Sequence, residues 1–146
     1  MFRGPEVQPL ASAPRVTPSD TLPVHGGEPP MSREQAAATL HNPLTPTAAR
    51  LEHGKALFLN NCAPCHGAGG SGNGSVAHLL SRPPTDLVNG LSKDQPDGYI
   101  YGTIRNGGVV MPSYDDAMSI DERWQVVMFV RSLQQAAKAS AKVAGQ

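Results

Sequence analysis

The clearest pattern of apolar and polar positions lies near the end of the chain. Val126, Phe129, Val130 and Leu133 recur at the i, i+3, i+4, i+7 spacing that places side chains on one face of an α-helix. The segment 119–122 has the sequence Ser-Ile-Asp-Glu, a capping box whose serine and glutamate satisfy the first backbone N–H groups of a helix. The pattern therefore predicts a helix that begins there and runs past Leu133.

A second helix is predicted earlier in the chain, from Thr45-Pro46 to about Asn61. Threonine is a favoured N-cap residue and proline is favoured in the first helical turn. Four residues in this segment fall on one side of the predicted helix: Leu51, Gly54, Leu57 and Phe58.

The middle of the chain predicts one short helix and one loop. A helix is predicted from Pro96 to Asn106, where Gly107-Gly108 stops it. Residues 67–74 are rich in glycine, which suits tight turns and a close approach of the backbone to a ligand. No alternating strand pattern of useful length occurs, so the predicted fold class is all-α.

The first 46 residues have a different composition. They contain nine of the fourteen prolines and few large apolar residues, so they cannot bury enough surface to form a core of their own. We expect an extended Pro-rich arm over residues 1–46, with a short helix near 32–40 where Ser32 and Gln35 form a capping box. For residues 1–30, an ordered arm and a disordered linker remain alternatives. The compact domain is expected over 47–136, followed by a C-terminal tail, 137–146.

The charge and hydropathy of the chain exclude several classes of protein. Twelve basic residues balance twelve acidic ones, which gives no reason to expect binding to nucleic acid. No run of eighteen apolar residues occurs, so we expect no transmembrane span. The first residues also lack the apolar segment of a signal peptide.

The candidate chemistry lies in the sequence Cys62-Ala63-Pro64-Cys65-His66. Two thiols at this spacing can each add to a vinyl group of haem, and the adjacent histidine can bind the iron. A redox-active disulfide is the first alternative, but it would need a thioredoxin-like pattern of strands. Zinc is the second, and it would need further ligands from the scattered His41, His53 and His78.

A wider set of residues resembles the class I cytochromes c, over about residues 47–136. The matching features are Gly54-x-x-Leu57-Phe58, Cys62-x-x-Cys65-His66-Gly67, Met111-Pro112, and a terminal helix with Trp124, Phe129 and Leu133. The resemblance implies a domain wrapped around one haem c, attached through Cys62 and Cys65. It also implies that His66 and Met111 bind the iron, and that Gly54 meets Phe129 where the first and last helices cross.

Within this class the chain is similar to one subgroup, the monohaem cytochrome of bacterial alternative complex III. The similarity is carried by the segments 82–87, 98–107, 111–114, 121–124 and 131–134, and by the proline-rich start. Members of that subgroup belong to a quinol-oxidising membrane assembly, and their arm follows a lipidated cysteine. The resemblance implies the periplasmic face of the bacterial inner membrane, with an anchor upstream of Met1 if that cysteine exists.

Several further residues are expected near the cofactor. Arg82 is predicted either to pair with a haem propionate or to lie solvated on the surface. The backbone carbonyl of Pro83 or Pro84 is expected to orient the imidazole of His66. Tyr101 is predicted to line the pocket with Tyr99 and Tyr114. Three rival axial ligands are less favoured: His78, Met118 and Met128.

These features predict an electron-transfer protein rather than an enzyme. Its partners would be other subunits of a membrane complex and a redox partner, either a cytochrome c or a haem–copper oxidase. The apolar residues spaced along the arm suit docking onto such subunits. A peroxidase-like haem enzyme, which needs an open iron site, and a free soluble cytochrome c are the alternatives.

Overall fold

The computed structural model describes residues 28–144, so most of the predicted arm, residues 1–27, lies outside the described part. The chain divides into two units, Met1–Pro30 and Met31–Gln146. The second unit contains helices α1 (Arg33–Thr39), α2 (Ala48–Asn61), α3 (Ala63–His66), α4 (Asp97–Asn106) and α5 (Ile120–Ala144), with short 3₁₀ turns at Ala77–Leu79 and Leu91–Asp94. No strand occurs among the described residues, and the predicted all-α fold is confirmed.

The start of α2 differs from the prediction. Its N-cap is Thr47, whose hydroxyl accepts a hydrogen bond from the backbone N–H of Arg50 at 3.2 Å. Thr45 lies before the helix, and its carbonyl accepts from the Arg50 guanidinium at 2.9 Å. The sequence Thr-Pro-Thr offers two threonines that can cap a helix, and the local pattern does not distinguish them.

The long helix α5 begins at its predicted capping box. The backbone N–H and hydroxyl of Ser119 both donate to the Glu122 carboxylate at 2.8 Å. Near the middle of α5, Arg131 forms an ion pair with Asp97 at 2.7 Å, which ties α5 to the first turn of α4. None of the helices in residues 28–144 combines the length and apolar character needed to cross a bilayer.

Helices α2 and α5 cross closely at Gly54. A Cβ atom at this position would overlap the backbone carbonyl of Gln125, so only glycine allows this separation. One turn further along, the ring of Phe58 packs against that of Phe129 with 5.2 Å between centroids. The structure thus has the predicted crossing, but the residue that faces Gly54 is Gln125 rather than Phe129.

Helix α1 packs on α4 and belongs to the compact unit. Ala36 is buried, and a Cβ at Gly98 of α4 would overlap its carbonyl oxygen. A Cβ at Gly102 would lie 3.0 Å from the Cα of Arg33. The compact unit therefore starts at Met31 rather than at the predicted residue 47, and α1 is part of it.

Candidate haem-binding site

The two cysteines and the histidine lie at the junction of α2 and α3. Cys62 ends α2, and its carbonyl accepts the backbone N–H groups of Cys65 at 3.1 Å and His66 at 2.8 Å. Residues three apart in a helical turn share one face, so both thiols are directed to the same side. Cys62 is buried and Cys65 is half-buried, and no disulfide joins them.

The imidazole of His66 is oriented by a backbone carbonyl. Its Nδ1 lies 3.0 Å from the carbonyl oxygen of Thr85, and because a carbonyl can only accept, Nδ1 carries the proton. The opposite nitrogen, Nε2, is then left with its lone pair for a metal. Burial lowers the pKa of His66, although the hydrogen bond to Thr85 acts in the opposite direction. The lowered pKa favours the neutral form of the imidazole, which is the form that can bind a metal.

Thr85 thus takes the role predicted for Pro83 or Pro84, and that prediction is wrong. Gly72 has a positive φ of 80°, and a Cβ there would lie 2.6 Å from the Pro84 carbonyl oxygen, so this carbonyl faces the glycine-rich loop. The next carbonyl along the chain, that of Thr85, faces the histidine. Both prolines still line the cavity beside His66.

Two adjoining cavities, of about 480 and 250 Å³, open beside these residues. The outer cavity brings together most of the predicted site residues: Cys62, Cys65, His66, Arg82, Pro83, Pro84 and Met111. The inner one has largely apolar walls, which include Phe58, Leu87, Ile100, Ile104, Val126 and Val130. Cys62, His66 and Met111 line both cavities, so they form one connected site.

The loop that carries Met111 is fixed at several points. Gly107 ends α4 with a φ of 71°, and the N–H of Gly108 donates to the Met111 carbonyl at 2.8 Å. The Tyr114 hydroxyl donates to the Asn61 carbonyl at 2.9 Å, and burial raises the pKa of this hydroxyl, which keeps it protonated. Because Asn61 directly precedes Cys62, this bond joins the methionine loop to the segment that bears the thiols.

The site fits a covalently bound haem. Burial, and to a lesser degree the neighbouring Cys65, raises the pKa of the Cys62 thiol to about 12. The site therefore favours an uncharged sulfur, and the sulfur of a thioether is uncharged. The apolar walls suit the macrocycle, and the neutral Nε2 of His66 suits the iron. When bound, the haem supplies an iron that changes between ferric and ferrous states. The Thr85 carbonyl orients His66, and the bonds of Gly108 and Tyr114 fix the loop that carries Met111.

Tyr101 is not brought to this site, which corrects the prediction for it. Its ring is fully buried and stacks on Trp124 with 4.2 Å between centroids. The Tyr101 hydroxyl accepts hydrogen bonds from the guanidinium of Arg123 at 3.1 and 3.3 Å. Tyr99 lines the inner cavity and Tyr114 the outer one, but Tyr101 lines neither.

The rival ligands do not line the two cavities either. Met118 is buried in the core, Met128 lies on α5, and His78 lies in the 3₁₀ turn Ala77–Leu79. His53 is hydrogen-bonded to the side chain of Gln125 at 2.6 Å. In the described residues, no three His, Cys, Asp or Glu side chains come together to hold a metal ion, so the zinc alternative finds no ligand set there.

Three residues that line both cavities were not predicted from the sequence. Thr85 and Thr103 line both cavities, and so does Arg33, which belongs to α1. Thr85 directly follows Pro83 and Pro84, but a sequence does not show in which direction a backbone carbonyl points. Arg33 had no local signal at all, because its place depends on how α1 packs on α4.

An all-α fold that directs a Cys-x-x-Cys-His turn and a methionine into one apolar cavity defines a c-type cytochrome domain. A family model described as "Cytochrome C oxidase, cbb3-type, subunit III" matches residues 49–130, more than half of the chain. The chain belongs to this family. Membership implies one haem c, bound covalently through Cys62 and Cys65.

Comparison with solved structures finds a similar chain in the reducing HAO-like protein complex of Kuenenia stuttgartiensis. The two are 28% identical with a TM-score of 0.56, and the match covers 64% of this chain and 49% of that one. This chain therefore spans about half the length of the solved one. Comparison with individual curated proteins finds no match.

Proposed function

We propose that this chain is the monohaem electron-transfer subunit of a quinol-oxidising respiratory complex of the alternative complex III type. It passes electrons to a soluble cytochrome c or to a haem–copper oxidase at the periplasmic face of the membrane. The observation that carries the electron-transfer part is the position of His66 and Met111 on the walls of one cavity. The membership of a complex is supported by the resemblance of segments 82–87 and 98–107, and by a structural relative that is itself part of a protein complex.

The arrangement favours a carrier over a peroxidase-like enzyme. His66 and Met111 line the same cavities and would together hold the iron of a bound haem, so no ligand position of the iron would be left for a substrate. A peroxidase needs an open sixth position and a distal acid–base residue. No Asp or Glu occurs among the residues that line the two cavities, and the one histidine there is His66, which serves as a ligand.

Replacing Met111 tests this function. The ferric holoprotein should show the sulfur–iron charge-transfer band, and its ferrous form should not bind carbon monoxide. Met111→Ala should abolish the band and admit carbon monoxide, whereas Met111→His should lower the midpoint potential, since histidine favours the ferric state relative to methionine. Met128→Leu, on α5, is the matched control and should leave all three properties unchanged. Binding of carbon monoxide to the unmutated protein would instead support the enzyme.

Purification of the full chain from membranes tests its place in a complex. If it is a subunit, it should elute together with quinol-oxidising subunits, and the preparation should reduce a cytochrome c when a quinol is added. Elution of the haem-bearing chain alone, with no quinol-dependent activity in its fraction, would favour the free carrier. We further propose that the arm docks onto the other subunits; residues 1–27 lie outside the described part of the structure.

A further inference from the structure

Arg33 has an unusual position relative to the haem site. It lies on α1, ahead of residues 49–130 that the family model matches, yet its side chain lines both cavities. Among the described residues that line the inner cavity, Arg33 is the one charged side chain. Among those that line the outer cavity, the charged side chains are Arg33 and Arg82. The site therefore offers two guanidinium groups and no carboxylate to a bound molecule.

The packing of α1 holds the Arg33 guanidinium in place. Its Nη2 donates to the carbonyl oxygen of Gly107 at 3.0 Å, and its Cζ lies 5.7 Å from the centroid of the Tyr99 ring. Gly102 brings the backbones of α1 and α4 together at Arg33. Because Gly107 begins the loop that carries Met111, the guanidinium is fixed to the same wall of the cavity as the methionine.

Most of the hydrogen-bonding capacity of this guanidinium remains for a ligand. A guanidinium has several N–H donors in a planar fork, and among the described residues one of these donors is taken up, by Gly107. The planar fork matches a carboxylate, with which it forms two parallel hydrogen bonds. A haem brings its own carboxylates, the propionates, into a site whose side chains offer no other anion.

We propose that Arg33 binds a haem propionate, and that α1 thereby contributes a residue to the haem-binding site. The positive charge of Arg33 on the wall of the cavity would disfavour the ferric state of a bound haem, which carries one positive charge more than the ferrous state. Arg33 thereby raises the midpoint potential of the haem. This inference depends on the haem that the family implies and not on the complex proposed above.

The test compares three variants of the full-length holoprotein. Arg33→Gln removes the charge and the fork, and Arg33→Lys keeps the charge but removes the fork. Arg50→Gln is the matched control, since Arg50 lies on α2, bonds to the Thr45 carbonyl and lines neither cavity. The readouts are the midpoint potential and the propionate-bending band in the resonance Raman spectrum, both measured on samples with full haem content.

We expect R33Q to lower the midpoint potential and to shift the propionate band, relative to both the unmutated protein and R50Q. R33K should shift the band but keep most of the potential. If R33Q does not retain haem, the propionate band of R33K alone is decisive: a shifted band supports the proposal and an unchanged band contradicts it. A propionate band that is unchanged in every Arg33 variant that holds haem would overturn the proposal. Such a result would leave the haem and its electron-transfer role intact, because those are tested on the unmutated protein, by its covalent haem and by its failure to bind carbon monoxide.

Discussion

At the scale of single residues, the buried Arg123 connects three parts of the chain. Its guanidinium donates to the Tyr101 hydroxyl, to the carboxylate and carbonyl of Asp115 at 3.0 and 2.9 Å, and to the Met118 carbonyl at 2.9 Å. The side chain is only 2% exposed, so these hydrogen bonds replace the water that would otherwise solvate its positive charge. Since Asp115 and Met118 follow the methionine loop, Arg123 fixes the end of that loop to α5.

Replacing Asp115 should therefore destabilise the protein. The Asp115 carboxylate also accepts from Arg105 at 3.3 Å, so Asp115→Ala leaves two buried guanidinium groups with one partner fewer. We expect a loss of about 2 kcal/mol in the free energy of unfolding, below the range for a fully buried pair because Asp115 is 44% exposed. Denaturant unfolding of the holoprotein measures this loss.

The neighbouring Asp116 supplies the control for this prediction. It has the same side chain one position along the chain and is exposed, so Asp116→Ala should change the free energy of unfolding by only a few tenths of a kcal/mol. Equal effects of the two substitutions would show that the network around Arg123 contributes nothing beyond the local backbone.

At the scale of helices, the crossing of α2 and α5 brings the haem-bearing turn against the core. Phe58 lies one turn before Cys62, and its contact with Phe129 fixes the end of α2 on α5. The direction in which the thiols point therefore depends on how closely the two helices approach. That separation is set at Gly54, where the backbone of Gln125 leaves no room for a side chain.

Gly54→Ala should reverse the usual effect of this substitution. In a helix alanine is ordinarily more stable than glycine by about 1 kcal/mol. Here the added methyl group meets a backbone carbonyl, which cannot rotate away, so we expect a loss of about 1–3 kcal/mol. Gly69→Ala is the control, because nothing lies within 4 Å of its Cβ position. A Gly54→Ala protein as stable as the control would contradict the close crossing.

Sequence alone predicted the elements whose signals are local. The capping boxes at Ser32 and Ser119 and the glycine stop at Gly107 each mark a helix end by residues a few positions apart. The short helix α3 over the haem motif was not predicted, since four residues are too few to show a period. Thr45-Pro46 fits the pattern of an N-cap followed by a first-turn proline, but the N-cap of α2 is Thr47.

The parts of the site that sequence missed depend on contacts between distant segments. Tyr101 lies in the core because α4 packs against both α1 and α5. These contacts set the orientation of α4 about its own axis, and the sequence of α4 alone does not show that orientation. The acceptor for His66 depends on the path of a loop that is held against Gly72. Arg33 reaches the cavity only through the packing of α1 on Gly98 and Gly102.

At the scale of the whole molecule, the compact unit begins at Met31, and a pair of deletions tests what precedes it. Removal of residues 1–30 should leave the haem spectrum and the unfolding temperature unchanged, and should abolish co-purification with other subunits if the arm docks on them. Removal of residues 1–40 also takes away α1 with Ala36 and Arg33, and should lower both the unfolding temperature and the midpoint potential.

The two deletions separate the arm from α1. If the protein that lacks residues 1–30 still co-purifies fully with its complex, docking by the arm is refuted. If removal of residues 1–40 costs no stability, α1 is not part of the compact unit. Thermal unfolding followed in the haem absorbance, together with affinity purification from membranes, measures both outcomes.

The two thiols at the junction of α2 and α3 change what unfolding means for this molecule. A dissociable ligand stabilises a fold by an amount that depends on its free concentration, because the ligand leaves when the chain unfolds. A cofactor held through Cys62 and Cys65 stays with the same chain in both states, so dilution cannot remove it. Unfolding and refolding are therefore unimolecular, because the haem that completes the core remains attached to the unfolded chain.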